Sequence, residues 1–145
     1  MYPITIVIVG FLVLEAANVV TLYFFPGSKM ANGVGVFRAW DKSKQDPEIH
    51  EFVKYLVNWI AGTKLIFILL LIVILLTAQE QTVFFTGGAL VVSIASFFWR
   101  LLPAIQKMDG DNQIAPKGYA ATLGRMILAM LAALGAAILI SAALR

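Results

Sequence analysis

Apolar residues gather along the chain into four long runs separated by polar stretches, at roughly Ile4–Phe25, Val53–Thr77, Thr82–Leu102 and Tyr119–Leu144. Each run reaches the ~20 residues a helix needs to cross a hydrocarbon layer. None alternates with period two, which excludes a β-barrel. Helices are the remaining solution, because lipid cannot hydrogen-bond an open backbone. The pattern predicts an all-α polytopic integral membrane protein: one transmembrane domain over residues 1–145, arranged as an antiparallel four-transmembrane-helix bundle. Met1-Tyr2-Pro3 carries no basic residue and the first run is long, so it reads as a span rather than a signal peptide.

Composition strengthens this picture. Of 145 residues, 61% are hydrophobic and 13% charged, against about 45–50% and about 25% in soluble domains. A domain this small keeps much of its surface exposed and has no core large enough to hide so much apolar area. A soluble enzyme, a nucleic-acid module and a disordered chain are thereby excluded. The absence of cysteine rules out disulfides and thiolate metal sites. The single histidine, His50, rules out a bis-His haem site within one chain. No cofactor is expected.

Charge sets the orientation. Lys29, Arg38, Lys42 and Lys44 follow the first run, with Lys54 at the loop edge; Lys107 and Lys117, flanked by Arg100, follow the third. The opposite side holds only Arg145. The positive-inside rule then places both termini outside and loops 26–52 and 103–118 in the cytoplasm; a prokaryotic inner membrane is the expected setting, with anionic lipids at the cytoplasmic face. In the first loop, Val36, Phe37 and Trp40 interleave with Arg38, Lys42 and Lys44, the pattern of a short amphipathic helix on the inner leaflet or of an ordered loop packed on the bundle. Asp46-Pro47-Glu48 has the order of N-cap, N1 and N2, so the second helix should begin near Pro47. Asp109-Gly110-Asp111-Asn112 lacks the EF-hand pattern and reads as a polar turn.

The candidate chemistry lies in polar residues within the apolar runs. A charge at mid-membrane costs roughly 2.5–3.5 kcal/mol on insertion scales, so a residue kept there has a partner or a task. Glu15 is the only acidic residue inside a run, and Asn18 lies one turn along the same face. Lys64 sits at similar depth in the second run, and Arg125 lies about seven residues into the fourth. Glu15, Asn18, Lys64 and Arg125 form the expected intramembrane polar cluster, with Lys64 and Arg125 as alternative partners of Glu15.

Thr86, Ala89, Ser93, Ser96 and Arg100 are spaced 3, 4, 3, 4, one helical stripe expected to pack inward. Val91, Ile94, Phe97 and Phe98 are expected to face lipid. Ala129, Ala132, Ala133 and Ala136 give the fourth helix a wide small-residue arc suited to close helix packing, within the chain or against another subunit. Trp59, Trp99, Tyr23, Tyr55 and Tyr119 fall near the inner boundary as an aromatic belt. His50 reads as a solvated surface histidine.

No nucleophile elbow, zinc-protease motif or phosphate loop is present. The expectation is a non-enzymatic membrane protein acting as a homo-oligomer or as an accessory subunit, with lipid and other membrane subunits as partners and no nucleic acid. The alternative is a small ion- or proton-coupled transporter or channel using Glu15.

Overall fold

The computed structural model describes residues 2–144; Arg145, the lone basic residue assigned to the outer side, lies outside them. Among the described residues the chain is all-helical, and its only strand-like contact is an antiparallel bridge between Phe37 and Ile114. The helices are α1 (Pro3–Phe24), α2 (Arg38–Ser43), α3 (Pro47–Thr77), α4 (Glu80–Ala95), α5 (Phe97–Gly110) and α6 (Tyr119–Ala143). Taking α4 and α5 as one near-continuous rod, four helices are long and apolar enough to cross a membrane.

Local chemistry accounts for the boundaries. Pro3 and Pro47 sit at the first turns of α1 and α3, where a missing N–H loses no bond. The Asp46 carboxylate accepts from Glu48 N–H and Ile49 N–H, capping α3. The helix begins here, well before the apolar run. Ser96 interrupts the α4–α5 rod. Its hydroxyl donates to the Ser93 carbonyl at 2.6 Å, a local bond of the kind that competes with the helical ladder.

Helix then continues through Pro103 to Gly110. The helix thus runs past Leu102, where the third apolar run ends, and takes in the first part of the second long loop. Proline removes one ladder bond, but α5 keeps an apolar side packed on α6 while Arg100, Gln106 and Lys107 face out.

α1 packs along α3 and on α6, while α4 and α5 both pack on α6. The main core lies at the end bearing the described termini, where Ile4 and Ile8 of α1 meet Leu71, Val83, Leu90, Leu134 and Ala137. Gly87 leaves room for the Ile4 side chain, since a Cβ there would stand 2.7 Å from Ile4 Cδ1. Ser141, fully buried, accepts the Ile4 N–H at 3.1 Å and so satisfies a helix-start donor across the fold. A smaller cluster of Leu22, Val57 and Ala61 joins α1 to α3 near the loop end.

Both long loops lie together at the other end. Arg38 N–H donates to the Gln113 carbonyl and Ala115 N–H to Val36. Gly35 lies so close to the preceding turn that a Cβ would fall 2.0 Å from the Gly27 carbonyl oxygen. The short amphipathic helix α2 exists, but Val36 and Trp40 are buried against the protein. Its apolar face is therefore not free for a leaflet, although Arg38, Lys42 and Lys44 remain exposed. Trp40 packs on the His50 ring, centroids 4.9 Å apart, and Ser43 Oγ lies 2.9 Å from His50 Nδ1. His50 is thus pinned and half-buried, not freely solvated.

Candidate functional site

Between α3 on one side and α4, α5 and α6 on the other, the helices part around a cavity of about 1020 Å3, with α1 along its back. The charged contact on its wall comes from two facing helices. α1 presents Glu15 and Asn18 on successive turns, and α3 presents Thr63 and Lys64. Lys64 Nζ donates to Glu15 Oε2. Asn18 Nδ2 donates to Glu15 Oε1 at 3.2 Å. Both carboxylate oxygens are therefore engaged. The side chains keep 16% (Glu15) and 27% (Lys64) of their exposure, so the pair is partly open to the cavity.

The wall is graded along the helix axes. Phe11, Phe67, Leu90 and Met130 form an apolar floor nearest the terminal core; Ser93 and Ser96 face the level of the charge pair; Lys29, Asn32, Tyr119 and Thr122 stand towards the loops. Thr63 and Thr122 return their hydroxyl protons to carbonyls one turn back in their own helices, leaving oxygen lone pairs for other donors.

Arg125 does not join this cluster. It is exposed, does not line the cavity, and donates through Nε to the Ala121 carbonyl of its own helix at 3.3 Å. The register of α6 on α1 and α4 turns Leu134, Ala137 and Ser141 inward and carries Arg125 to the outside. Arg100 is also exposed, over the Trp99 ring at 5.2 Å.

The polar stripe of the third run is not the packed side of its helix either, although Ser93 and Ser96 turn to the cavity. Val83, Gly87 and Leu90 form the buried side of α4, whereas Ala89, Ser93, Ser96 and Arg100 are exposed and Thr86 half-buried. Ile94, Phe97 and Phe98, expected to face lipid, are half-buried. The hydroxyls of Thr86 and Ser96 are satisfied within their own helix, so they need no partner across it. Close packing instead selects the glycine side. Ala129, Ala132, Ala133 and Ala136 are all exposed in the single chain.

Asp109 emerges as a structural residue that the turn-like sequence around it conceals. It is 8% exposed, and its two oxygens accept Gly118 N–H at 3.0 Å and Ala120 N–H at 3.1 Å. The carboxylate thereby satisfies amides at the start of α6 and meets the positive end of its dipole. Nothing in the local sequence links Asp109 to residues nine and eleven positions on; only the return of the loop does so. Among the described residues no group of three His, Asp or Glu side chains converges to hold a metal. Of the aromatic belt, Tyr23, Tyr55, Trp59 and Trp99 are exposed, but Tyr119 is half-buried against Phe37.

Compared with protein-family models, with curated proteins and with solved structures, the chain has no match in any of the three.

Proposed function

We propose that this chain is a non-enzymatic, multi-pass membrane protein that works as a homo-oligomeric or accessory subunit. The carrying observation is what its long helices turn outward. Leu76, Val92, Leu139 and Phe24 are each more than 70% exposed, within an almost continuous apolar surface of the kind that marks a membrane or protein interface. On α6 the outward arc is Ala129, Ala132, Ala133 and Ala136, while Leu134, Ala137 and Ser141 on the other side serve the chain's own packing. Small residues facing lipid admit a second helix at close range. Glu15 and Lys64 neutralise each other within the chain, which lowers the cost of holding charge at that depth.

In this reading the four rods are the transmembrane helices, both termini are outside, and the loop end with Lys29, Arg38, Lys42 and Lys44 meets anionic lipid inside the cell. Cysteines at Lys44 and Asn112 should label from the cytoplasmic side, and one at Gln81 from outside. Labelling of Gln81 and Lys44 from the same side overturns the four-span topology. Replacing Ala133 and Ala136 with leucine should shrink the assembly measured in detergent; an unchanged assembly removes the homo-oligomeric contact.

A second reading, transport through Glu15, is favoured by one observation: the cavity reaches the Glu15–Lys64 pair. Proton or ion flux into proteoliposomes that disappears with Glu15→Gln would support it over the subunit reading.

A further inference from the structure

The cavity carries more than a charge pair. Its hydrogen-bonding capacity is unbalanced. Two lysines, Lys29 and Lys64, line it against a single lining carboxylate, Glu15, an excess of one positive charge that Asp41, outside the cavity and within the field of Lys29, offsets in part. Both oxygens of Glu15 are engaged by Asn18 and Lys64. Lys64, by contrast, uses one of its three donors. The unfilled capacity of the site is therefore that of a donor for an anion.

The shape specifies the rest. The wall runs along α6 from Tyr119 to Met130, about 16 Å at 1.5 Å per residue. It changes from the polar rim of Lys29 and Asn32 to the apolar floor of Phe11, Phe67 and Leu90. Its volume of about 1020 Å3 lies at the upper end of small-molecule sites, about 300–1,000 Å3. α3 touches α4 only sparsely and makes no substantial packing with α5 or α6, so the cavity opens sideways between them. With the helices upright in a bilayer, that gap faces the acyl chains, while the rim of Lys29 and Asn32 stands at the loop end.

We propose that this cavity is a binding site for an anionic single-chain lipid drawn laterally from the bilayer. The carboxylate or phosphate head is held by the free donors of Lys64, with the charge of Lys29 at the rim drawing it in, and the tail lies on the Phe11–Phe67–Leu90 floor. This rests on the membrane reading above but on neither the subunit nor the transport reading.

Trp59 lines the cavity, whereas Trp40 and Trp99 do not, so tryptophan emission reports occupancy. The full chain in nanodiscs of zwitterionic lipid is titrated with a long-chain fatty acid brominated in the tail and, separately, with the brominated alcohol of the same length. The expected result is saturable quenching by the acid, much weaker quenching by the alcohol, and loss of the saturable component in Trp59→Phe. Lys29 is exposed, so Lys29→Gln leaves packing intact and should raise the half-saturating concentration about three- to fivefold. Glu15→Gln with Lys64→Met removes the inner donor without stranding a charge and should raise it about tenfold.

Equal quenching by acid and alcohol, or saturable quenching that survives Trp59→Phe, overturns the site. Competition by acetate at concentrations matching the fatty acid shows a free-anion site and overturns the lipid assignment. Helicity by circular dichroism separates a misfolded variant from a lost site. Recovery of the chain in the soluble fraction without detergent would instead refute the membrane reading itself.

Discussion

The two ends of the helices solve opposite problems with similar residues. At the terminal end, Ile4, Ile8, Leu71, Val83, Leu134 and Ala137 close into a core, aided by Gly87 and by the Ile4–Ser141 hydrogen bond. Towards the loops, α1 still holds α3 through Leu22, Val57 and Ala61, but α3 parts from α4 and α5 and leaves a cavity. α6 runs through both regions. It contributes fully buried Leu134 to the first, and half-buried Leu123 and Ile127 to the wall of the second. Apolar character alone therefore does not decide whether helices close. Closure follows where Gly87 leaves room for the Ile4 side chain; where Trp59, Phe67, Phe97, Lys64 and Ser93 line the wall, the helices stand apart.

Leucine to alanine, made once in each region, should have unequal effects. Leu134→Ala should destabilise by about 2–5 kcal/mol, because the core cannot collapse around the lost volume. Leu123→Ala borders space that is already open and should lose only about 1–2 kcal/mol. Unfolding in mixed micelles measures both, and equal losses would show that the two regions are packed alike.

A double-mutant cycle on the charge pair comes next. Glu15→Gln or Lys64→Met alone leaves a partly buried charge without its partner, with a loss of up to about 3 kcal/mol, and the double change should recover much of it. The coupling energy reads the contact directly; strictly additive losses would mean the side chains do not support each other. Asp109→Asn should lose about 1–2 kcal/mol, as a missing helix cap does, and loosen the start of α6. Hydrogen exchange at Gly118 and Ala120 is the measurement. Unchanged protection would leave Asp109 without its capping role.

The smallest effect concerns Asp41, exposed on α2. Its hydrogen bond and charge interaction with Lys44, at 2.8 Å, hold its carboxyl below the ordinary value of 3.8. A lowered carboxylate contributes stability above its unfolded-state value and loses it as pH falls through the folded one. NMR titration should therefore place Asp41 below 3.8, and Lys44→Met should return it upward.

The long helices were legible because length and apolarity suffice to mark a helix able to cross a membrane, and Asp46-Pro47 marks the start of α3 by local chemistry. The short helix α2 and the two clustered loops also follow from turn residues and charge. Depth along the runs brought Glu15 within reach of either Lys64 or Arg125; the packing of α1 on α3 chose Lys64, and the rotation of α6 sent Arg125 outward. Rotation is what these runs conceal. When the outside is as apolar as the inside, hydrophobic periodicity no longer says which face turns in. The serine-bearing side of α4 was thus open to a packing role that the Gly87 side takes, and the continuation of α5 past Pro103 was masked by the usual meaning of proline. Asp109 and Trp40 depend on residues that the folded loops bring back to them. Residue order alone was enough to place the long apolar helices, their starts and the charges they carry. Their facing, and with it the cavity, came from the packed fold, because facing depends on how side chains of segments distant in the chain fit together.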